Sequence, residues 1–173
     1  MKIEDNFLDQ TAFNELQAFM MGSDCGWHYN DFKVNNKDID KFQFVQIFYI
    51  HASPSSPDLV KLKSIIDIIN PIAVIRIKAN LLTKTPNIIE NEFHIDLNDL
   101  SEEKLKQVTT SIFYVNTNNG YTKFEDGTKV ESVANRMVTF PANLKHLGTS
   151  CTDEKKRVVI NFNWFLNETK LEN

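Results

Sequence analysis

Residues 42–50, FQFVQIFYI, are aromatic and β-branched, the composition of a strand. After Pro71 a period of two becomes explicit. In IAVIRIKANLL, Ile75, Ile77, Ala79 and Leu81 fall on one face, and Arg76, Lys78 and Asn80 on the other. Further short strand-like runs follow: FHIDL, SIFYVNT, GYTKFE, RMVTF, LKHLGT and RVVINFNWF. Turn signals separate them, Asn119-Gly120 and Asp126-Gly127 being the strongest. The first part of the chain has a different period. DNFLDQTAFNELQAFMMGS sets Phe13, Leu16, Phe19 and Met20 at helical spacing, with Gly22 to end the helix. SPSSPDLVKLKSIIDIIN predicts a second helix, with Ser56 as its cap, Pro57 in its first turn and Asn70-Pro71 as its stop. Between the first helix and the strand at 42–50, CGWHYN leads into a polar stretch rich in Asn and Lys, from Asn30 to Lys41. Helices first and many short strands afterwards make an α+β plan whose antiparallel sheets close as a barrel or a sandwich. With no internal repeat or low-complexity segment, residues 1–173 are expected to form one domain. Residues 1–70 would supply helical support and a first strand, and 71–173 the sheet core.

Composition narrows the function classes. With 42% hydrophobic residues, 13 of them Phe, the chain can bury a sizeable core. A formal charge of −4 argues against a nucleic-acid partner, whose binding is dominated by basic residues. No run approaches the roughly 18 apolar residues of a membrane span, and MKIEDNFLDQTAFNEL has acidic residues where a signal peptide would be apolar. Cys25 and Cys151 lie far apart without metal-ligand spacing and read as free thiols of a reducing compartment. The expectation is a cytoplasmic protein.

The chemistry begins in NEFHIDLNDL, residues 91–100. If 91–97 is a strand, His94 and Asp96 point the same way, opposite Phe93, Ile95 and Leu97. That face meets either water or a metal. An imidazole and a carboxylate suit a divalent ion such as iron or zinc, and they need a further ligand. Of the four histidines, His146 stands out by its setting. LKHLGTSCTDEKKRVVINF reads as a hairpin around a polar loop, and His146 and Arg157 are equidistant from its midpoint between Cys151 and Thr152. On a symmetric loop they would face each other across the hairpin, a third ligand beside a guanidinium fork able to clamp a carboxylate. Asn161 shares the strand side of Arg157.

Two histidines and a carboxylate on one face are the ligand pattern of non-haem Fe(II) oxygenases. The segments HID (94–96), SIFYVNTNNGYT (111–122), NRMVTFPANLKHLG (135–148) and RVVINFNWF (157–165) follow one another in the order found in the Fe(II)/2-oxoglutarate-dependent dioxygenases. The chain resembles that family, and within it the prolyl-4-hydroxylase-like branch, from about residue 70 onward and more loosely in its N-terminal helix. The resemblance implies a double-stranded β-helix (jelly roll, cupin-like) with N-terminal helices packed on one sheet. It implies His94, Asp96 and His146 as catalytic iron ligands. It places Arg157 on the 2-oxoglutarate C5 carboxylate, Tyr114 as a hydrogen-bond donor to the same carboxylate, and Asn80 and Asn161 as further cosubstrate contacts. Many relatives outside the branch have Arg-x-Ser, and here Val159 stands in place of the serine. Fe(II), 2-oxoglutarate and O2, with ascorbate as an auxiliary reductant, are the implied cofactors. The implied reaction hydroxylates a C–H bond of a prolyl or other side chain in a peptide or protein, or of a small metabolite.

Simpler roles stand beside these. His28 and His51 read as surface or satisfied half-buried histidines, Trp27 as packing behind the first helix, Arg136 as an ion-pair partner and DEKK (153–156) as a solvated loop. Arg76 and Lys78 share the parity of Asn80. They either read an anionic or polar substrate or form a solvated face. For the whole chain the alternative is a non-catalytic jelly-roll module that binds metal and recognises a ligand, a role that would not require Arg157.

Overall fold

The computed structural model describes residues 1–31 and 42–166, so most of the polar stretch after Asn30 lies outside the described residues. The elements are β1 (Lys2–Glu4), α1 (Gln10–Met21), β2 (His28–Asn30), β3 (Gln43–Ile50), β4 (Ser53–Pro54), a 3-10 turn (Pro57–Leu62) continuing into α2 (Lys63–Ile69), β5 (Ala73–Thr83), α3 (Glu102–Leu105), β6 (Val108–Tyr114), β7 (Tyr121–Phe124), β8 (Lys129–Glu131), β9 (Arg136–Pro141), β10 (His146–Gly148) and β11 (Lys156–Phe165). Local chemistry sets both main helices. Asp9 caps α1 by accepting from the Ala12 amide at 3.0 Å, and Gly22 ends it in extended backbone. Ser56 accepts from the Asp58 amide at the start of the 3-10 turn, and Asn70 closes α2 in the left-handed region at φ 49° before Pro71.

The strands form two antiparallel sheets, the arrangement of an α+β double-stranded β-helix. The larger, of eight strands, runs β1-β9-β6-β11-β5-β3-β2, with β4 paired to β3; the smaller runs β10-β7-β8. Helices α1 and α2 cover the outer face of the larger sheet. There Phe13, Leu16, Met20 and Ile65 pack with Phe48, Ile77, Phe113, Val158, Ile160 and Phe162. Phe113 is fully buried, with Phe7 and Phe13 edge-on to its ring, each at 6.3 Å between centroids. Between the sheets Ile112, Tyr114, Phe124, Val138, Phe140 and Val159 make a second apolar layer.

Three expectations change. Residues 1–70 contribute four strands, not one; β1, β2 and β4 have three, three and two residues, too few to display a period. The segment 91–97 is not a strand: His94 makes a single antiparallel bridge to His146, each amide donating to the other's carbonyl at 3.0 Å. Nor do His146 and Arg157 share a hairpin. β10 pairs with β7, His146 opposite Phe124, whereas β11 pairs with β5, Arg157 opposite Leu82. A polar loop between two apolar runs has the same sequence signature whether the chain folds back in one sheet or crosses to the other, and here it crosses.

Truncating Phe113 to Ala removes the ring that joins α1 to the sheet, and should cost about 3–5 kcal/mol. Urea denaturation should show that loss with an unchanged m-value; a loss below about 1 kcal/mol would mean that the helix is not held through this contact.

Candidate active site

Alternation along β11 divides its side chains between two environments. Val158, Ile160, Phe162 and Trp164 join the core beneath the helices, so Arg157, Val159, Asn161 and Asn163 point between the sheets. The register places these four opposite Leu82, Asn80, Lys78 and Arg76 of β5. A cavity of about 230 Å³ opens over this surface, lined also by His94, Asp96 and His146 and by Asn91, Thr122 and Gly148.

His94, Asp96 and His146 bring one donor atom each to within 4.8 Å of one another. They reach this point from two directions, β10 carrying His146 and the bridged segment carrying the other two. The imidazoles lie 4.9 Å apart between centroids. In each histidine Nδ1 faces a backbone carbonyl, Glu92 O at 3.0 Å for His94 and Leu144 O at 3.2 Å for His146. A proton on Nδ1 satisfies that contact and turns the Nε2 lone pair toward a metal. His146 is packed against Phe140, ring centroids 5.0 Å apart, and burial pushes its pKa down, which favours the neutral ligating form.

Asp96 has a side chain only 6% exposed, and it is held as an anion. Burial would raise its pKa, but Arg76 above all, then the two imidazoles and the Asn163 amide, hold the carboxyl well below the usual carboxylate range. Arg76 Nη2 is 3.3 Å from Oδ1, while Asn161 Nδ2 and Asn163 Nδ2 each donate to Oδ2 at 3.2 Å. Arg76 Nε also donates to Asn163 Oδ1 at 3.2 Å, so the arginine and both asparagines act as one clamp. Two imidazoles and a fixed carboxylate suit a divalent cation at one corner of the cavity.

Arg157 marks another part of it. Its residue is 2% exposed, and no carboxylate among the described residues pairs with it. Burial pushes its pKa down from the ordinary value, yet a guanidinium stays protonated. Nε donates to Ser132 Oγ at 2.8 Å, Nη2 reaches Thr122 Oγ1 at 3.4 Å, and the Tyr114 ring lies 5.8 Å from Cζ. Gly120 leaves room for this side chain: a Cβ there would sit 2.7 Å from Arg157 Cδ and from Ser150 O. A buried, oriented guanidinium with only neutral partners lacks the counter-charge that its desolvation calls for.

Of the other residues singled out in the sequence, Asn80 and Asn161 line the cavity, and the buried Asn161 Oδ1 has no hydrogen-bond partner among the described residues. Tyr114 is fully buried behind it, its hydroxyl donating to Thr122 Oγ1 at 2.8 Å, so it meets Arg157 through Thr122 and its ring face. Burial pushes this phenol's pKa up, leaving it a neutral donor. Arg136 is engaged with Asp5, at 2.6 and 3.0 Å, away from the cavity. His28 and His51 are exposed, Trp27 packs against the helix-covered core, and both cysteines are free and buried. Sequence reading passed over Thr122, Ser132 and Asn163. Asn163 was signalled by its parity with Arg157 and Asn161, whereas Ser132 sits in a strand-to-strand connection that carries no such signal.

No family model matches the sequence, and no curated protein is detectably similar to it. The fold does have relatives among solved structures. A Trichoplax adhaerens prolyl hydroxylase, in complex with a hypoxia-inducible-factor oxygen-degradation-domain peptide fragment, superposes with a TM-score of 0.65 at 12% identity, over 97% of this chain and 84% of that one. A Pseudomonas putida prolyl-4-hydroxylase gives 0.63 at 12% identity, over 96% and 92%. A non-haem α-ketoglutarate-dependent epimerase from nogalamycin biosynthesis gives 0.65 at 11% identity, over 95% and 76%. At such identities the likeness establishes the shared double-stranded β-helix, and the chemistry rests on this chain's own residues. No helix among the described residues is long and apolar enough to cross a membrane.

Equilibrium dialysis against Mn(II) tests the cation site without any turnover. The protein should bind about one ion, His94→Ala and His146→Ala should each weaken binding at least about tenfold, and retention of full affinity would place the metal elsewhere.

Proposed function

We propose that this chain is an Fe(II)- and 2-oxoglutarate-dependent oxygenase that hydroxylates a C–H bond. The observation that carries the reading is Arg157, a buried guanidinium without a counter-ion among the described residues, in the same cavity as a two-histidine, one-carboxylate triad. A module that only held a metal would have no use for a desolvated positive charge there. A dicarboxylate cosubstrate supplies the missing charge, and the donor set fits Fe(II). His94, Asp96 and His146 would hold the metal. Bound with 2-oxoglutarate and O2, it supplies the oxidising chemistry, in which one oxygen atom enters the substrate and the other enters succinate as CO2 leaves.

The chain's own residues do the rest. Arg157 binds the far carboxylate of the cosubstrate, oriented by Ser132 and Thr122, and a charge-assisted bond of this kind contributes about 1.5–3 kcal/mol. Tyr114 holds Thr122 in position and so acts on the clamp at one remove. Val159 and Asn80, opposite each other in register, form the floor between clamp and metal. Phe140 and Phe124 flank His146 and exclude water from that side of the metal. The Trichoplax neighbour holds a peptide, and the nogalamycin epimerase belongs to a small-molecule pathway. A prolyl or other peptide side chain and a small molecule are accordingly the two substrate forms that this reading covers.

The purified chain should bind 2-oxoglutarate anaerobically and turn it over to succinate with Fe(II) and ascorbate. His94→Ala or Asp96→Ala should abolish turnover, whereas Arg157→Ala should raise the 2-oxoglutarate requirement by about tenfold or more. An unchanged requirement in Arg157→Ala would remove the cosubstrate assignment.

A further inference from the structure

The cavity contains more positive charge than the proposed reaction uses. Arg76, Lys78 and Arg157 line it, against Asp96 as the single carboxylate lining it among the described residues. Arg76 is committed to Asp96 and Asn163. Arg157 is accounted for by the cosubstrate carboxylate. Counted over the described residues, with a divalent metal, a dianionic cosubstrate, three basic side chains and one aspartate, the site retains a net charge of about +2, which neutral contents would leave uncompensated.

Lys78 is the basic group without an assignment. It is half-buried and, among the described residues, donates no hydrogen bond and makes no ion pair. Burial first, and the Arg76 charge next, push its pKa down, and the Asp96 carboxylate, already engaged by Arg76 and two asparagines, offsets this only in part. Its position is informative. Lys78 sits opposite Asn161 in the register of β5 and β11, and the Asn161 amide donates to Asp96. One strand spacing, about 5 Å, therefore separates the lysine backbone from the residue that touches a metal ligand. Arg157 lies four residues along β11 from Asn161, so the cosubstrate clamp and Lys78 serve different parts of the cavity.

Resting on the oxygenase reading, we propose that Lys78 is a specificity-determining residue that binds a carboxylate of the substrate, so that the molecule hydroxylated is an acid. A single carboxylate matches the one ammonium lining the cavity, which, among the described residues, has neither a hydrogen bond nor an ion pair. The carboxylate belongs either to a free acid or to an acidic side chain of a peptide, and the two sources are separable by experiment.

The test uses calorimetry on the protein loaded with Mn(II) and 2-oxoglutarate, which reports binding without turnover. The free-acid probes are L-glutamate and N-acetyl-L-proline, compared with neutral N-acetyl-L-prolinamide. The peptide probe is acetyl-Gly-Asp-Gly-amide, compared with its Asn counterpart. In one arm the acidic probe should bind about tenfold or more tightly than its neutral match. Lys78→Met should erase that preference, and Lys78→Arg should restore most of it, while both variants keep the 2-oxoglutarate affinity of the parent. Binding by the free acids alone assigns a small-molecule acid, and binding by the peptide alone assigns a protein side chain. The proposal is overturned if no acidic probe binds the loaded protein, if neutral probes bind equally well, or if Lys78→Met keeps the preference. A protein that fails to bind 2-oxoglutarate at all contradicts the oxygenase reading instead, before any substrate probe is added.

Discussion

Everything in the cavity depends on β11 being hydrogen-bonded along both edges, to β5 on one side and β6 on the other. The strand cannot slip, because a shift of one residue would drive Arg157, Asn161 and Asn163 under the helices and turn Val158, Ile160 and Phe162 into the cavity. Burial of the apolar set beneath α1 and α2 thus fixes the polar set above. The free energy that folds the protein is also what aims its guanidinium, and this is why an arginine with no counter-ion among the described residues can be kept buried. Ser132, Thr122 and Gly120 then decide its direction.

The smaller sheet makes a different contribution. β10 is three residues long, and its backbone reaches the 90–96 segment by isolated bridges at Glu90–Thr149 and His94–His146. The two histidines are therefore coupled through main-chain hydrogen bonds as well as through any shared ion. Asp96 reaches the same point but is restrained from the larger sheet, by Arg76, Asn161 and Asn163. The triad is a junction between the sheets, with imidazoles from one side and a carboxylate held by the other. An ion bound there would tie the sheets together, which links metal binding to the stability of the whole barrel.

Charge follows the same division. The clamp around Asp96 neutralises one arginine, the proposed cosubstrate would neutralise another, and Lys78 also lines the cavity. Solved structures with this fold include a prolyl hydroxylase in complex with a peptide and an epimerase from nogalamycin biosynthesis, so the fold does not fix the substrate. On the proposed reading, substrate choice lies in the residues that the metal and cosubstrate leave unassigned.

Local chemistry was sufficient for much of this. Capping residues, helical spacing and the period of two located α1, α2 and the long strands β3, β5, β6 and β11, because those signals act over a few neighbouring residues. Parity alone placed Arg76, Lys78 and Asn80 on one side of β5, and Arg157 and Asn161 on one side of β11. The pairing of His146 with Arg157 on one hairpin was wrong, since a loop's composition does not say which sheet the chain enters next. The strand expected around His94 is a single bridge, because its partner β10 is too short to extend the pairing. Short strands such as β1, β2 and β8 left no periodic trace. Sequence by itself determined which residues can carry the chemistry and which side of a strand each occupies. Only the tertiary structure decided that two sheets bring them around one cavity, because sheet pairing is set by the burial of residues far apart in the chain.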